Sequence, residues 1–129
     1  MTSHQHGRAA EDTFMGTIRA RGAKIYLARQ RENFDFWVNG RRVEFKTARP
    51  TQTKRQSPYW QFSLHRHGKL NESDIDFYVV CFEEIPYMQK NFYGAVQAPV
   101  QVKSLSYGMP DLLKHAESLH RLFEEIVNG

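Results

Sequence analysis

The dipeptide Asn39-Gly40, set between two runs of alternating apolar and polar residues, constrains this chain more than any other feature. Phe34, Phe36 and Val38 alternate before it; Val43, Phe45 and Thr47 alternate after it. Both Asn and Gly tolerate φ > 0, so the pattern predicts a tight two-residue β-hairpin. With Asn39 and Gly40 as the loop, counting back gives the register: Val38 opposite Arg41, Trp37 opposite Arg42, Phe36 opposite Val43 and Asp35 opposite Glu44. Side chains alternate across a strand, so Phe34, Phe36, Val38, Val43 and Phe45 share an inward face. Asp35, Trp37, Arg42, Glu44 and Lys46 share the outward one.

The outward face carries the chemistry. Two carboxylates directly opposed across a hairpin repel by a fraction of a kcal/mol up to ~1 kcal/mol, and Lys46 relieves only part of this. A hard divalent cation relieves it fully. Mg²⁺ typically takes one or two carboxylates from a protein and completes its shell with waters and phosphate oxygens. The plainer reading is a solvated face on which the opposed acids are tolerated, since exposed charge pairs carry little energy either way.

At 129 residues the chain has room for one domain with a real core, spanning 1–129, with residues 1–7 read as a flexible polar tail. Lys and Arg outnumber Asp and Glu 18 to 14, a net charge of +4 that biases the chain toward a polyanionic partner. The lone Cys81 excludes an internal disulfide framework and a cysteine-based zinc site, and points to a reducing cytoplasm. No apolar run approaches the ~20 residues of a membrane span, so a soluble, intracellular protein without a membrane partner is expected.

Arg8 to Ala20 has helical periodicity through Ala10, Phe14 and Ile18, closed by Gly22. Glu11 falls on the edge of that stripe while Asp12 points away; a first-turn glutamate also suits the helix dipole on its own account. His4 and His6 read as tail residues. Lys24 to Ala28 is a short strand, and Arg49 to Pro58 is a basic loop leaving the strand that carries Glu44 and Lys46. Arg49, Lys54 and Arg55, with Arg41 and Arg42 by the turn and His65 and Arg66 beyond the next strand, are candidate nucleic-acid contacts. Tyr59 to His65 alternates, with Trp60, Phe62 and Leu64 inward and Gln61 on the polar side. Ile75 to Phe82 is apolar on both faces and reads as a buried central strand. Asn91 to Ala98 and Val100 to Leu105 are weaker strands. A closing amphipathic helix runs from about Pro110 to Val127, with Leu112, Leu113, Ala116, Leu119, Phe123 and Ile126 along one side. The order of elements predicts an α/β or α+β domain with a mixed sheet between helices.

Glu11, Asp35, Glu44-Phe45-Lys46 and Gln61, taken in this order, resemble the signature of the PD-(D/E)XK nuclease superfamily, which has the restriction-endonuclease-like fold. The resemblance runs from about Gly7 to Glu84. Val-Glu-Phe-Lys-Thr-Ala, Tyr-Trp-Gln-Phe-Ser-Leu and Asp-Ile-Asp-Phe-Tyr-Val-Val are most similar to the small branch containing group I intron homing endonucleases; Holliday-junction resolvases are more distantly similar. Phe34 stands where the superfamily name has proline, and residues 85–129 match no part of the pattern. The resemblance implies that Asp35, Glu44 and the Phe45 backbone carbonyl hold Mg²⁺, or Mn²⁺ in its place. It also implies that Lys46 positions the attacking water, with Glu11 and Gln61 as supporting groups.

Three functions follow as expectations. The first is a metal-dependent endonuclease acting on double-stranded or branched DNA, a homing endonuclease or a junction-resolving nuclease. The second is a catalytically inactive nucleic-acid-binding relative, against which the complete Asp, Glu and Lys set argues. The third is an unrelated basic binding domain with surface acids. Because cutting both strands of a duplex takes two active sites or re-binding, a homodimer or dimer of dimers is expected of the nuclease.

Overall fold

The computed structural model describes residues 3–52, 54, 57–64, 74–98, 100 and 102–129. The elements run α1 (Ser3–Ala20), β1 (Ile25–Leu27), β2 (Phe36–Val38), β3 (Arg41–Ala48), β4 (Tyr59–Ser63), β5 (Phe77–Phe82), β6 (Phe92–Gln97), β7 (Ser104–Gly108) and α2 (Met109–Asn128). The fold is mixed α+β, as the order of elements predicts. A five-stranded sheet in the order β1-β2-β3-β5-β6 is accompanied by a two-stranded ribbon of β4 and β7. The sheet is mixed because β3 and β5 run parallel while every other neighbouring pair is antiparallel.

The hairpin has the register counted from its turn for three pairs, Phe36 opposite Val43, Trp37 opposite Arg42 and Val38 opposite Arg41; the fourth, Asp35 opposite Glu44, does not form, because the Asp35 N–H donates to the Val43 carbonyl. Asn39 and Gly40 both sit at positive φ, 49° and 82°, as this turn requires. Asn39 does more than turn the chain. Its side-chain amide donates to the carbonyls of Ile126 (2.8 Å) and Val127 (2.9 Å), capping the otherwise unsatisfied C-terminal end of α2.

One face of the sheet buries Phe36, Val38, Val43, Phe45, Val79 and Cys81 against Phe14 and Ile18 of α1 and Phe123, Ile126 and Val127 of α2. Phe14 is central to this packing, stacked on Phe45 at 4.7 Å between ring centroids. The other face buries Val80 and Phe82 under Trp60 and Phe62 of β4, with Leu105 and Tyr107 of β7 packed alongside. Burying a Phe side chain contributes roughly 1.5–3 kcal/mol, so these aromatics on both faces hold the sheet between its two layers.

Several expectations are corrected. Helix α1 begins at Ser3 rather than Arg8, because His6, placed in the tail, is bonded to the body of the sheet. The last strand spans Ser104–Gly108 rather than residues 100–105. Pairing with β4 decides this: Tyr59 meets Gly108 and Ser63 meets Ser104, whereas Val102 is exposed. On α2, Leu113 is 71% exposed while Val127 is buried, because at ~100° per residue Leu113 falls off the stripe that Leu112, Leu119, Phe123, Ile126 and Val127 share. Phe34 is buried not with Phe36 but in the opposite cluster, with Leu64, Ile75 and Tyr78. A slip in the ladder at Asp35 is the cause.

Candidate functional site

The Asp35 N–H donates to the Val43 carbonyl at 3.0 Å, although Val43 already faces Phe36 in the pairing. Two residues of one strand thus oppose one of the next, which is the pattern of a β-bulge. The bulge reverses the alternation before Phe36, so Phe34 moves to the outward face and packs edge-on against Trp37 at 5.0 Å. It also re-aims Asp35. The Phe45 backbone N–H donates to Asp35 Oδ2 at 2.8 Å, which seats the carboxylate against the peptide that joins Glu44 to Phe45.

Glu44 is 4% exposed. The outward face on which a solvated pair of acids was one expectation is therefore covered, and Glu44 lies beside its strand partner Tyr78. Lys46, two residues on, is half-buried opposite Val80 on the same face of β3. The Asp35 carboxylate is thus bonded to the peptide that lies between Glu44 and Lys46 of β3.

Glu11 is half-buried and Asp12 exposed, as the helical stripe predicts. His6, Ala9, Ala10 and Thr13 line the cleft toward β5 and β6. At ~100° per residue, Glu11 occupies the other flank of α1, toward the hairpin. Gln61 is exposed on β4, on the side opposite Trp60 and Phe62, and its amide donates to Ser104 Oγ at 3.3 Å.

The basic residues divide by the bonds they make. Arg42 is held by Asp76: its backbone N–H and Nε donate to Oδ2 at 2.7 and 3.2 Å, and Nη2 donates to Oδ1 at 3.0 Å. The guanidinium hydrogen bond keeps the Asp76 carboxyl below the usual carboxylate range. Arg41 donates to the Glu125 carbonyl at 3.3 Å and lies over the Phe77 ring. Both hairpin arginines therefore brace the fold. Arg49 and Lys54 are exposed where the chain leaves β3. Arg55, His65 and Arg66 lie outside the described residues.

Sequence reasoning missed a second polar group on the α1 side of the sheet. Glu83, just past β5, is 9% exposed and its Oε2 accepts from Thr47 Oγ1 at 2.7 Å and from His6 Nε2 at 2.8 Å. Its backbone carbonyl accepts from the buried Trp60 indole N–H at 2.8 Å. The His6 and Glu83 partners are 77 positions apart, so no local signal could pair them. Among the described residues, no group of three or more His, Cys, Asp or Glu side chains could hold a metal ion.

With this geometry in hand, a search of solved structures finds a bacterial homing endonuclease, I-Ssp6803I, with a TM-score of 0.67. The chain's fold resembles that of a homing endonuclease. The match covers 98% of this chain and 95% of that one at 13% sequence identity, so the likeness is of architecture and includes residues 85–129. No protein-family model matches the sequence, and comparison with curated proteins finds no match. Among the described residues, no helix is long and apolar enough to cross a membrane.

Proposed function

We propose that this chain is a metal-dependent DNA endonuclease that hydrolyses phosphodiester bonds, and that it acts as a homing endonuclease of PD-(D/E)XK type. The observation that carries the reading is the Asp35 carboxylate held by the Phe45 amide between Glu44 and Lys46, in a fold similar along its whole length to that of a homing endonuclease. Two carboxylates and a backbone carbonyl are too few for an all-protein cage. That donor set fits Mg²⁺, which keeps several waters and accepts phosphate oxygens, with Mn²⁺ as a substitute.

In this reading Asp35, Glu44 and the Phe45 carbonyl hold the ion, which when bound supplies a water of lowered pKa and charge stabilisation on the phosphate. Phe45 N–H fixes the orientation of Asp35 before any ligand arrives, so little rearrangement accompanies binding. Lys46 orients the attacking water and offers positive charge to the phosphate oxygens as they gain charge. Glu11 supports the waters from α1, whereas Gln61, which points away from the sheet and bonds Ser104, is left out of the set. Arg49 and Lys54, with Arg55, His65 and Arg66, contact the DNA backbone, while Arg41 and Arg42 keep their bracing roles.

Double-stranded cleavage calls for two such sites, and we assign the chain to a homodimer or dimer of dimers. Tyr87 and Met88, 106% and 52% exposed, and Leu113 on the outer side of α2 are the apolar surface for it. The deciding experiment is nicking of supercoiled plasmid with and without Mg²⁺, by wild type and Asp35→Asn, with light scattering on the same samples. Metal-dependent nicking lost in Asp35→Asn supports the reading. Equal nicking by both proteins, or none by wild type, refutes it.

A further inference from the structure

The polar chain on the α1 side of the sheet ends on an arginine. Beyond its bond to Glu83, the His6 ring accepts at Nδ1 from Arg49 Nη2 at 2.8 Å. A guanidinium has only donors, so Nδ1 carries no proton in this arrangement. The ring proton must then sit on Nε2, from which it is donated to Glu83 Oε2 at 2.8 Å. The partners on each side thus assign a neutral Nε2–H imidazole. Thr47 donates its hydroxyl to the same carboxylate oxygen at 2.7 Å and anchors Glu83 to β3. One continuous chain runs from Thr47 through Glu83 and His6 to Arg49, and it begins one residue past Lys46.

We infer that His6 is a positioning residue, which in its neutral form holds the exposed Arg49 guanidinium ready for a DNA phosphate; the inference rests on the nuclease reading above. Arg49 has five N–H donors, the bond to His6 engages Nη2, and the residue is exposed. An exposed arginine otherwise loses much rotamer freedom when it binds. Holding it beforehand raises affinity by about two- to tenfold.

The test uses the full chain and a mixed-sequence DNA duplex. Ring ¹⁵N spectra of the free protein at neutral pH should show His6 protonated at Nε2 and bare at Nδ1. Arg49→Ala and His6→Ala should each weaken DNA binding about two- to tenfold, and the double variant no further than Arg49→Ala alone, because the two residues act as one. His6→Gln offers an oxygen to Arg49 and an N–H to Glu83. It should restore binding. An Nδ1–H ring, additive losses in the double variant, or a His6→Gln variant that binds no better than His6→Ala each overturns the inference. Wild type that shows the Nε2–H ring yet binds no DNA refutes the nuclease reading, and with it the phosphate role of Arg49, while the hydrogen-bonded chain itself stands.

Discussion

Glu44 and Glu83 are the two charged side chains buried among the described residues, 4% and 9% exposed, and they lie on opposite sides of neighbouring parallel strands. Glu83 has the surroundings of a structural carboxylate. One oxygen accepts from Thr47 and His6, and the adjacent backbone carbonyl accepts from Trp60, so the residue ties α1, β3, β4 and β5 together. Glu44 sits beside a carboxylate that a bulge has aimed at its own peptide, with a lysine two residues away. Surrounding a buried acid with donors recovers the cost of its burial, and Glu83 is held by the fold in this way; under the proposed function Glu44 is kept for chemistry.

The largest effect expected from this contrast is on cleavage. Lys46→Ala should slow plasmid nicking by about 10²- to 10⁴-fold, the usual range for a positioned proton-transfer or charge-stabilising group, while a gel shift shows DNA affinity close to wild type. Full nicking by the variant would remove Lys46 from the site.

The next effect is on stability, and the two glutamates should part company. Glu83→Ala leaves the Thr47 and His6 donors without their acceptor and should cost about 1–3 kcal/mol in denaturant unfolding. Glu44→Gln keeps the size and shape of the side chain at its buried position, so it should cost less stability than Glu83→Ala while abolishing nicking. Equal destabilisation by both substitutions would erase the distinction between them.

The smallest effect concerns the brace near the site. Asp76 is held below the ordinary carboxylate range, chiefly by its hydrogen bond to Arg42. The unfolded chain therefore takes up this proton first as pH falls. The pair's stabilisation is complete above the unfolded value, about 3.9, and is lost as pH drops through the lower folded value. Both side chains are about a third exposed, so solvent screening keeps the contribution below ~1 kcal/mol. Asp76→Asn should lower stability at neutral pH by up to that amount and converge on wild type in acid, below the folded value, so that the acid limb of the unfolding profile is flatter. An unaltered acid limb would show that the brace contributes nothing measurable.

The hairpin was legible from its residues because its determinants are local. Asn39 and Gly40 specify the turn, and counting from it gives the pairing of Phe36 with Val43. The helical stripe of α1 and the apolar run of β5 were legible for the same reason: a period of 3.6 or an unbroken apolar run reports burial without knowledge of what covers it. This reading placed Asp35, Glu44 and Lys46 on one short stretch of chain. It did not extend to the bulge, which depends on how Asp35 and Phe36 share Val43, and so it put Phe34 on the wrong face.

What only tertiary structure decided is which polar groups meet across distance and which face is dry. The register of β7 follows from β4, more than forty positions earlier in the pairing of Tyr59 with Gly108. The burial of Glu44 is a property of the face it shares with Tyr78, where Phe34, Leu64 and Ile75 also gather. The meeting of His6 with Glu83 and Arg49 brings together the first helix and the ends of two strands. Periodicity describes one element at a time, whereas a hydrogen bond between distant elements exists only once both have been packed against the same core. By itself the sequence therefore determined the hairpin, the helical and strand faces, and the order of Asp35, Glu44 and Lys46; packing decided which of its acids would be buried.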